Sequence, residues 1–564
     1  MVREAGCGRV GFDKVALVQQ ERSGSRRMSS AQAPALVHHD GGRPAAACWL
    51  SKGEHVALRT VIRRRRSLLL AALALLAAVV VPGADASLPG KPAGPVGCDA
   101  GRLAGTHHPG DTRSHPANVA GCVSYTHAGY GESWLIVTPP IVSNGTTVPS
   151  AVIRGGPYQD HPTTQLPSFG IARSVDEGAH WANLQFAGNS TEVANRCGSD
   201  PGFYRDPVTN RTFWYGDGSC EDVSYVVGPM NIMYSDDGGE SWRDFADPMN
   251  FFPDIFDAAH MLGAPATTAD SKAALARNHY AGNVIYMCGG STCYKSVDGG
   301  VTYGNKSSIK ALAAGQKDGK LYTLSSGVLN VSTDEGKTWS PQGKAIPSSL
   351  SAGGIGMCTR AGGAGDLWVD NANNIYVGGT SGGKLAVAYS RDGGNSWSSP
   401  ITAQMPEVTS FAMCSFAADP DRPGHIAFAY NGATAKTPSP TQHGYLTETE
   451  NLFEANPLFT SVQVDSDSDP LLPNGGPAAA APGTIGLGGA GMPPHSVSRY
   501  DYMGVTFSPV DGRPWASYAK DRCNLTFCLD QPDPNLTSGD NMQRNYFWTG
   551  WIGAVGTMAT IPTA

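Results

Sequence analysis

Aspartates at equivalent positions of a repeat are the first candidates for chemistry in this chain. An eight-residue pattern, Ser-x-Asp-x-Gly-x-x-(Trp or Tyr), begins at Ser174, Ser235, Ser296, Ser332 and Ser390. A row of five carboxylates could bind a metal ion or a substrate, but aspartate also folds back onto nearby backbone N–H groups in Asx-turns. Because a carboxylate used in its own turn is not free for catalysis, we interpret all five as scaffold.

The rest of the pattern is typical of a hairpin turn. Its glycine supplies a positive φ that other residues resist, and its aromatic residue offers an apolar face that can fill a seam between sheets. Apolar residues precede most copies, as in Asn231–Tyr234 and Leu385–Tyr389, and predict a strand that enters the turn. The copies start 61, 61, 36 and 58 residues apart, which indicates a repeat architecture.

Two other polar clusters could suit a metal ion. Asp465, Asp467 and Asp469 alternate with serine like the opening of a calcium loop, but Pro470 stands where an EF-hand has glycine. The second cluster lies near the predicted mature start and contains His107, His108, Asp111 and His115. No Cys/His spacing fits a zinc site. We therefore predict no metal and no cofactor.

The five copies together resemble the Asp-box, or BNR repeat, of the sialidase-type β-propellers. In that family the box joins the outer two strands of a blade, away from the central ligand pocket. The resemblance covers most of residues 98–564 at the level of repeats. It implies an all-β propeller and, as an activity, hydrolysis of terminal acidic sugars.

The resemblance also implies a set of catalytic residues. Sialidases of this fold use a tyrosine nucleophile assisted by a glutamate, and an aspartate as acid/base; they are the tyrosine exception among retaining glycosidases. The candidate nucleophile is Tyr502, within the sequence Ser498–Gly504, and Glu407 is its candidate carboxylate partner. Asp160 is the candidate acid. A tyrosine in an alternating strand can equally belong to the core, and a glutamate in a loop can simply be solvated.

Three arginines hold the substrate carboxylate in this family, because the guanidinium fork binds a carboxylate bidentately. The family's first arginine lies in an Arg-Ile-Pro sequence, whereas the nearest sequence here is Val152–Pro157, with Arg154 followed by two glycines. Arg360 and Arg499 are the second and third candidates. Arg154 could equally form an inter-blade contact.

Three functions agree with these residues. The first is a secreted exo-sialidase-type glycoside hydrolase, and the second is a non-catalytic propeller that binds glycan or protein outside the cell. The third is a propeller with other chemistry, such as a lyase or a neutral-sugar glycosidase with two carboxylates across its pocket. An incomplete arginine triad would favour the second function. Fold alone does not choose among them.

The elements that must position these residues are short strands in seven repeat-like segments. The sixth segment lacks a clean copy of the pattern and has Tyr445–Phe453 in its place. Acidic turns at Asp370, Asp419 and Pro509 predict hairpins between inner strands. Seven segments give seven blades, or six if the first and last segments complete one blade together; closing the ring removes exposed sheet edges. Pro473–Pro494, rich in Gly, Ala and Pro, predicts a flexible insertion.

The leader and the charge indicate export. Arg63–Arg66, an apolar run at Leu68–Val81 and a small-residue site before Ser87 predict a signal peptide at residues 61–86. We interpret residues 1–60 as an over-extended start or a disordered leader. Residues 87–564 contain 42 Asp/Glu and 28 Lys/Arg, a poor composition for nucleic-acid binding. The expected partner is a glycan or glycoconjugate, without stable membrane insertion.

Ten cysteines follow the leader, an even number compatible with disulfides in an oxidising compartment. The sequence leaves their connectivity open. Proximity suggests five pairs: Cys98–Cys122, Cys197–Cys220, Cys288–Cys293, Cys358–Cys414 and Cys523–Cys528.

Overall fold

A computed structural model describes residues 97–98, 119–126, 134–143, 145–158, 168–184, 199–217, 231–244, 252, 259–352, 366–435, 441–472, 503–521 and 551–560. All of them lie in the second of two units, residues 86–564. The predicted leader and signal peptide, the histidine cluster and the Gly/Ala/Pro-rich insertion lie outside the described residues. No helix among the described residues is long and apolar enough to cross a membrane.

Among the described residues, the strands form seven antiparallel sheets of four or five strands, the blades of a propeller, and one separate two-stranded hairpin. The first two strands, β1 (Gly97–Cys98) and β2 (Val119–Thr126), belong to the last blade. Blade 1 consists of β3 (Trp134–Thr138), β6 (Ala151–Tyr158), β7 (Ser168–Ser174) and β8 (Ala182–Leu184), with a hairpin of β4 (Ile141–Ser143) and β5 (Thr146–Val148) between its first two strands. Blade 2 consists of β9 (Ser199–Arg205), β10 (Thr212–Asp217), β11 (Asn231–Ser235) and β12 (Arg243–Asp244).

Blade 3 consists of β13 (His260–Ala264), β14 (Val284–Gly289), β15 (Thr292–Ser296) and β16 (Gly304–Ser307), with helix α1 (Ala269–Arg277) after β13. Blade 4 consists of β17 (Ala313–Ala314), β18 (Leu321–Ser325), β19 (Val328–Ser332) and β20 (Ser340–Ala345). In blade 5, β21 (Ser351–Ala352) and β22 (Asp366–Val369) both pair with β23 (Ile375–Ser381), followed by β24 (Lys384–Ser390) and β25 (Ile401–Thr402).

Blade 6 consists of β26 (Ser410–Ala418), β27 (Ile426–Ala433), β28 (His443–Thr449) and β29 (Thr460–Gln463). Blade 7 consists of β30 (Val505–Phe507), β31 (Pro514–Asp521) and β32 (Trp551–Thr560), followed outward by β2 and β1.

The ring of blades is closed. The innermost strand of each blade contacts that of the next, and β30 of blade 7 contacts β3 of blade 1. β2 pairs with β32 along its whole length, from Val119 opposite Thr560 to Thr126 opposite Gly553. The first and last segments therefore do share a blade, but the total is seven, because the first segment also supplies a blade of its own.

The core lies between neighbouring blades. The middle strands are buried on both faces and read as continuous apolar runs: β14 and β27 have every residue buried. Large aromatic side chains fill the seams, among them Trp214, Phe416 and Tyr430. Aromatic residues suit this position because each buries a large area with few rotatable bonds.

The eight-residue repeats lie between the third and fourth strands of blades 1 to 5. In the first copy, Ser174 Oγ donates to Asp176 Oδ1 at 2.8 Å and accepts from Gly178 N at 2.7 Å. The same Asp176 oxygen accepts from His180 N at 2.9 Å. The other four copies repeat these bonds. Each aspartate is thus occupied by its own turn, as the sequence predicted.

Blade 6 has a variant of this turn where the sequence lacks a clean copy. Thr449 Oγ1 donates to Asn451 Oδ1 at 2.9 Å, and the same oxygen accepts from Leu458 N at 2.9 Å. Threonine and asparagine therefore replace serine and aspartate, and the asparagine oxygen accepts from a residue seven positions later instead of four.

The fourth position of the repeat has a positive φ in every copy. Three copies have glycine there, but blades 1 and 4 have Glu177 (φ 59°) and Glu335 (φ 62°). Each of these glutamates reaches the preceding blade. Glu177 pairs with Arg513 of blade 7 at 3.0 Å, and Glu335 pairs with Lys295 of blade 3 at 2.9 Å.

Strand alternation gives the propeller two different faces. Because all neighbours are antiparallel, the hairpins between first and second strands and the eight-residue repeats lie on one face, which we call the repeat face. The links between second and third strands, and those from one blade to the next, lie on the opposite, connection face. The acidic turns at Asp370 and Asp419 join first and second strands, as predicted, and belong to the repeat face.

One predicted disulfide is confirmed: Cys288 and Cys293 are bonded across β14 and β15. Cys122 and Cys414 are also disulfide-bonded. Cys98 lies directly opposite Cys122 in the β1–β2 register, which agrees with the predicted pair. The side chains of the remaining predicted cysteines lie outside the described residues.

Candidate functional site

Of the six predicted site residues, Arg154 and Glu407 lie within the described part of the chain. Asp160, Arg360, Arg499 and Tyr502 lie outside it.

Arg154 lies in the middle of β6 and is 0% exposed. Its Nε donates to Ser517 Oγ at 3.0 Å and its Nη2 donates to the carbonyl oxygen of Tyr518 at 3.2 Å, so it joins blade 1 to β31 of blade 7. Burial lowers the pKa of Arg154 to about 9. Of the two roles that the sequence allowed for Arg154, substrate binding or an inter-blade contact, the structure shows the inter-blade contact. The guanidinium presents no surface to a ligand in solution.

Glu407 is exposed in the link between β25 and β26, on the connection face. Two buried tyrosines lie below it, Tyr430 and Tyr445, stacked with their ring centroids 5.4 Å apart. Burial, with a smaller contribution from Glu407, raises the pKa of Tyr430 to about 12. Its hydroxyl accepts from Met405 N at 3.1 Å. A buried phenol with a raised pKa is a poor nucleophile, so Tyr430 is a structural neighbour of Glu407.

The strands that precede three of the other four candidates end on the connection face. Asp160 follows β6, a second strand, and Arg360 falls between β21 and β22, where the inner strand of blade 5 is interrupted. Arg499 and Tyr502 fall between β29 and β30, in the link from blade 6 to blade 7. Asp160, Arg499 and Tyr502 therefore belong, like Glu407, to links that start on the same side of the ring, whereas the link of Arg360 starts within the inner strand of blade 5.

A polar cluster that was not predicted as a functional site lies at the seam of blades 6 and 7 on this face. It contains His443, Asp465, Asp467, Asp469 and Lys520, and we call it the seam cluster. His443 Nδ1 lies 3.3 Å from both carboxylate oxygens of Asp465. Lys520 Nζ donates to Asp469 Oδ1 at 2.6 Å and to the carbonyl oxygen of Pro470 at 3.0 Å.

The three aspartates of the seam cluster are those that resemble a calcium loop in the sequence, but they have separate roles. Asp465 is buried, which raises its pKa, and it accepts from Leu471 N at 2.6 Å. Asp469 is the counter-charge of Lys520, whereas Asp467 is exposed. No group of three or more His, Cys, Asp or Glu side chains in the described ranges could hold a metal ion.

Sequence reasoning had a signal for the aspartates of the seam cluster, namely their alternation with serine, but none for His443. A single histidine at the start of a strand belongs to no sequence motif that predicts a functional site. Its importance depends on Asp465, which only the pairing of β28 with β29 brings beside it.

Comparisons with known proteins give weak similarities. No family model and no curated protein matches the chain. Solved structures that are similar include the BP39L lectin from Burkholderia pseudomallei, at 12% identity and a TM-score of 0.36, covering 69% of this chain and 96% of that one. NanB sialidase from Streptococcus pneumoniae is 13% identical with a TM-score of 0.28, covering 74% of this chain and 67% of that one. An exo-β-1,3-galactanase from Clostridium thermocellum is 11% identical with a TM-score of 0.25, covering 59% and 67%. Similarity at this level says nothing about activity, and the seven-bladed arrangement rests on the strand pairing of this chain itself.

Proposed function

We propose that this chain is a secreted glycoside hydrolase of the exo-α-sialidase type, which removes terminal acidic sugars from glycans at its connection face. Tyr502 is the nucleophile, Glu407 assists it, and Asp160 is the acid. Arg360 and Arg499 are the arginines assigned to the substrate carboxylate, whereas the third predicted arginine, Arg154, is buried against blade 7. A cationic fork that binds the carboxylate and a tyrosine nucleophile suit an anionic sugar, because a carboxylate nucleophile would be repelled by it.

The observation that supports this proposal is the common side of the links. β6, β25 and β29 all end on the connection face, so the links that contain Asp160, Glu407, Arg499 and Tyr502 start on one side of the ring. The five aspartate turns occupy the other side. The disulfide between Cys288 and Cys293 agrees with an oxidising compartment outside the cytoplasm.

Release of a fluorophore from an aryl α-sialoside by the purified protein tests the proposal. We expect turnover by the wild type and a loss of at least about 100-fold in kcat for Tyr502→Phe and for Glu407→Gln, the usual size of a lost acid–base or nucleophilic contribution. Glu450→Gln is the matched control, since Glu450 is also exposed but lies on the repeat face. Turnover that survives Tyr502→Phe would show that the nucleophile is another residue, and no wild-type turnover would reject the hydrolase.

A second candidate function is a non-catalytic propeller that binds glycans at the same face. The burial of Arg154 favours it, because the arginine triad then lacks one member at the surface. We expect such a protein to retain glycans on an array without cleaving them. Retention of sialylated glycans in the absence of turnover would distinguish this function from the first.

A further inference from the structure

A histidine held by a buried carboxylate stands at the connection-face end of blade 6. His443 is the first residue of β28, and its side chain is 13% exposed while that of Asp465 is 0% exposed. The carboxylate of Asp465 also accepts from Gly444 N at 3.3 Å and from Leu471 N at 2.6 Å. Asp465 is therefore surrounded by donors, and Nδ1 of His443 is the ring nitrogen that donates to it.

This arrangement leaves the other ring nitrogen as an acceptor. In a neutral imidazole one nitrogen donates and the other accepts, and a carboxylate on Nδ1 selects the form with a free lone pair on Nε2. Asp467 Oδ1 lies 3.8 Å from Nε2, beyond hydrogen-bond distance. Within the described part of the chain, no donor faces Nε2 of His443.

Asp467 is the second acceptor at this place. Its side chain is 91% exposed, and its Oδ1 accepts from Gln463 Nε2 at 3.0 Å, which orients the carboxylate. His443 and Asp467 thus present two acceptors 3.8 Å apart, of which the Asp467 side chain is exposed and the His443 side chain is 13% exposed.

The loop that carries Asp467 is fixed on both sides. Asp469 accepts from Lys520 Nζ at 2.6 Å and from Tyr125 OH at 3.2 Å. Gln442 and Leu472 exchange two backbone hydrogen bonds, at 3.0 and 3.1 Å. A ligand would therefore meet acceptors that are already in place, which lowers the entropy lost on binding.

Two fixed acceptors without a donor between them suit a ligand with two neighbouring donors. Adjacent hydroxyl groups of a sugar are such donors, whereas a sugar carboxylate would be repelled by Asp467. We propose that His443 Nε2 and the Asp467 carboxylate form a binding subsite for the hydroxyl groups of an uncharged sugar unit. The subsite rests on the proposed function in that its ligand is a glycan, and it assigns to blade 6 a neutral unit of that glycan.

Binding of methyl β-galactoside to the purified protein, followed by saturation-transfer NMR and titration, tests this subsite. We expect millimolar binding that weakens about tenfold in His443→Phe and in Asp467→Asn, as for the loss of one hydrogen bond to a charged or oriented group. Asp467→Asn leaves the fold intact because its side chain is exposed. Asp270→Asn, an exposed aspartate on helix α1, is the matched control and should bind like the wild type.

The tautomer of the His443 ring provides a second readout. The tautomer with the proton on Nδ1 should be visible in the ¹⁵N shifts of the ring at neutral pH, and the opposite tautomer would overturn the proposal.

Three results would contradict the subsite: no galactoside binding by the wild type, equal binding by His443→Phe and the wild type, or binding of methylammonium that the two substitutions weaken as much as that of the sugar. The last result would make the pair a cation site.

The sialoside assay distinguishes a failure of the subsite from a failure of the proposed function. A protein without turnover whose galactoside binding depends on His443 keeps the subsite and loses the hydrolase, and the reverse pattern keeps only the hydrolase.

Discussion

Glu335 and Glu177 occupy the same position of two repeats, with the same left-handed backbone, but in different surroundings. A positive φ costs a residue with a side chain about 1–2 kcal/mol. Glu335 is buried and offsets this cost with several hydrogen bonds: it accepts from Thr267 N and Thr268 N at 2.9 Å each, and from Ser271 Oγ at 2.5 Å. Glu177 is exposed and has a salt bridge to Arg513.

We expect Glu335→Gln to lower the free energy of unfolding by about 3 kcal/mol, because it leaves Lys295 buried without its counter-charge. Urea denaturation measures this loss. Glu177→Gln is the matched control at the equivalent position and should cost less than about 1 kcal/mol, as exposed pairs do. Equal costs in the two variants would mean that the charge of Glu335 does not hold blade 3 to blade 4.

Burial would raise the pKa of Glu335, but hydrogen bonds from Ser271, Thr268 and Lys295 outweigh it and lower the pKa to about 2. The stabilisation by Glu335 is therefore complete above the ordinary pKa of a glutamate and is lost only as the pH falls through about 2. This contact should hold across the whole physiological range.

At the scale of single elements, the inner hairpin of blade 6 contains a buried titratable group. His425 donates from Nδ1 to Asp419 at 3.0 Å and, when protonated, from Nε2 to Glu448 at 3.1 Å. Its ring also packs against Phe507 of blade 7, with centroids 4.3 Å apart. The hairpin therefore connects two strands of its own blade and the next blade through one imidazolium.

Burial alone would lower the pKa of His425, but its hydrogen bonds to the carboxylates of Asp419 and Glu448 raise it to about 9. A histidine whose pKa is raised in the fold stabilises the fold fully below its ordinary pKa of 6.5. This contribution is lost as the pH rises through about 9. We expect the wild type to lose about 2–3 kcal/mol between pH 6 and pH 9.5 relative to His425→Gln, by urea denaturation at each pH. Parallel curves for the two proteins would show that His425 is neutral in the fold.

Elements with strong local signals could be predicted from the sequence. The repeats marked the turns between third and fourth strands, and Asp370 and Asp419 marked the inner hairpins, because these turns depend on hydrogen bonds within a few residues. Helix α1 was missed although its signals are local: Thr268 caps it, with Asp270 in the first turn and Arg277 in the last. A helix of 9 residues was not expected within a repeat of strands.

The site could be predicted less well, because its residues depend on distant parts of the chain. Arg154 was chosen because its sequence is nearest to the Arg-Ile-Pro of the family, but its partners Ser517 and Tyr518 lie in the last blade. The pair of His443 and Asp465 likewise requires the register of β28 and β29. The burial of Arg154 and the pairing of His443 with Asp465 depend on how the ring closes and how its strands pair. No local sequence pattern shows either.

At the scale of the whole molecule, the seam between blades 1 and 7 decides whether the ring closes. Gly553 of β32 lies against Arg154, and a methyl group at this position would overlap its guanidinium and the hydroxyl of Thr126. We expect Gly553→Ala to lower the free energy of unfolding by about 1–3 kcal/mol, as overpacking does. Gly304→Ala is the control, since nothing lies within 4 Å of its added methyl group. Equal stability of the two variants would show that the seam can relax.

The number of blades was left open between six and seven for a reason that belongs to this scale. Local patterns count segments, but only the pairing of Val119–Thr126 with Gly553–Thr560 shows that the first segment contributes both to the last blade and to a blade of its own. The interruption between β21 and β22 was also not foreseen, since it depends on both strands pairing with β23.

The pairing of β2 with β32 has a consequence for biogenesis. The ribosome delivers β2 among the earliest residues of the ring and β32 among the last, so the partner of β2 is missing for most of translation. Until then, β2 and β31, the two strands between which β32 pairs, have unpaired edges that are open to aggregation and proteolysis. A chain interrupted shortly before Trp551 would retain six complete blades, but its seam could not close. Closure of the ring therefore requires that synthesis reach β32.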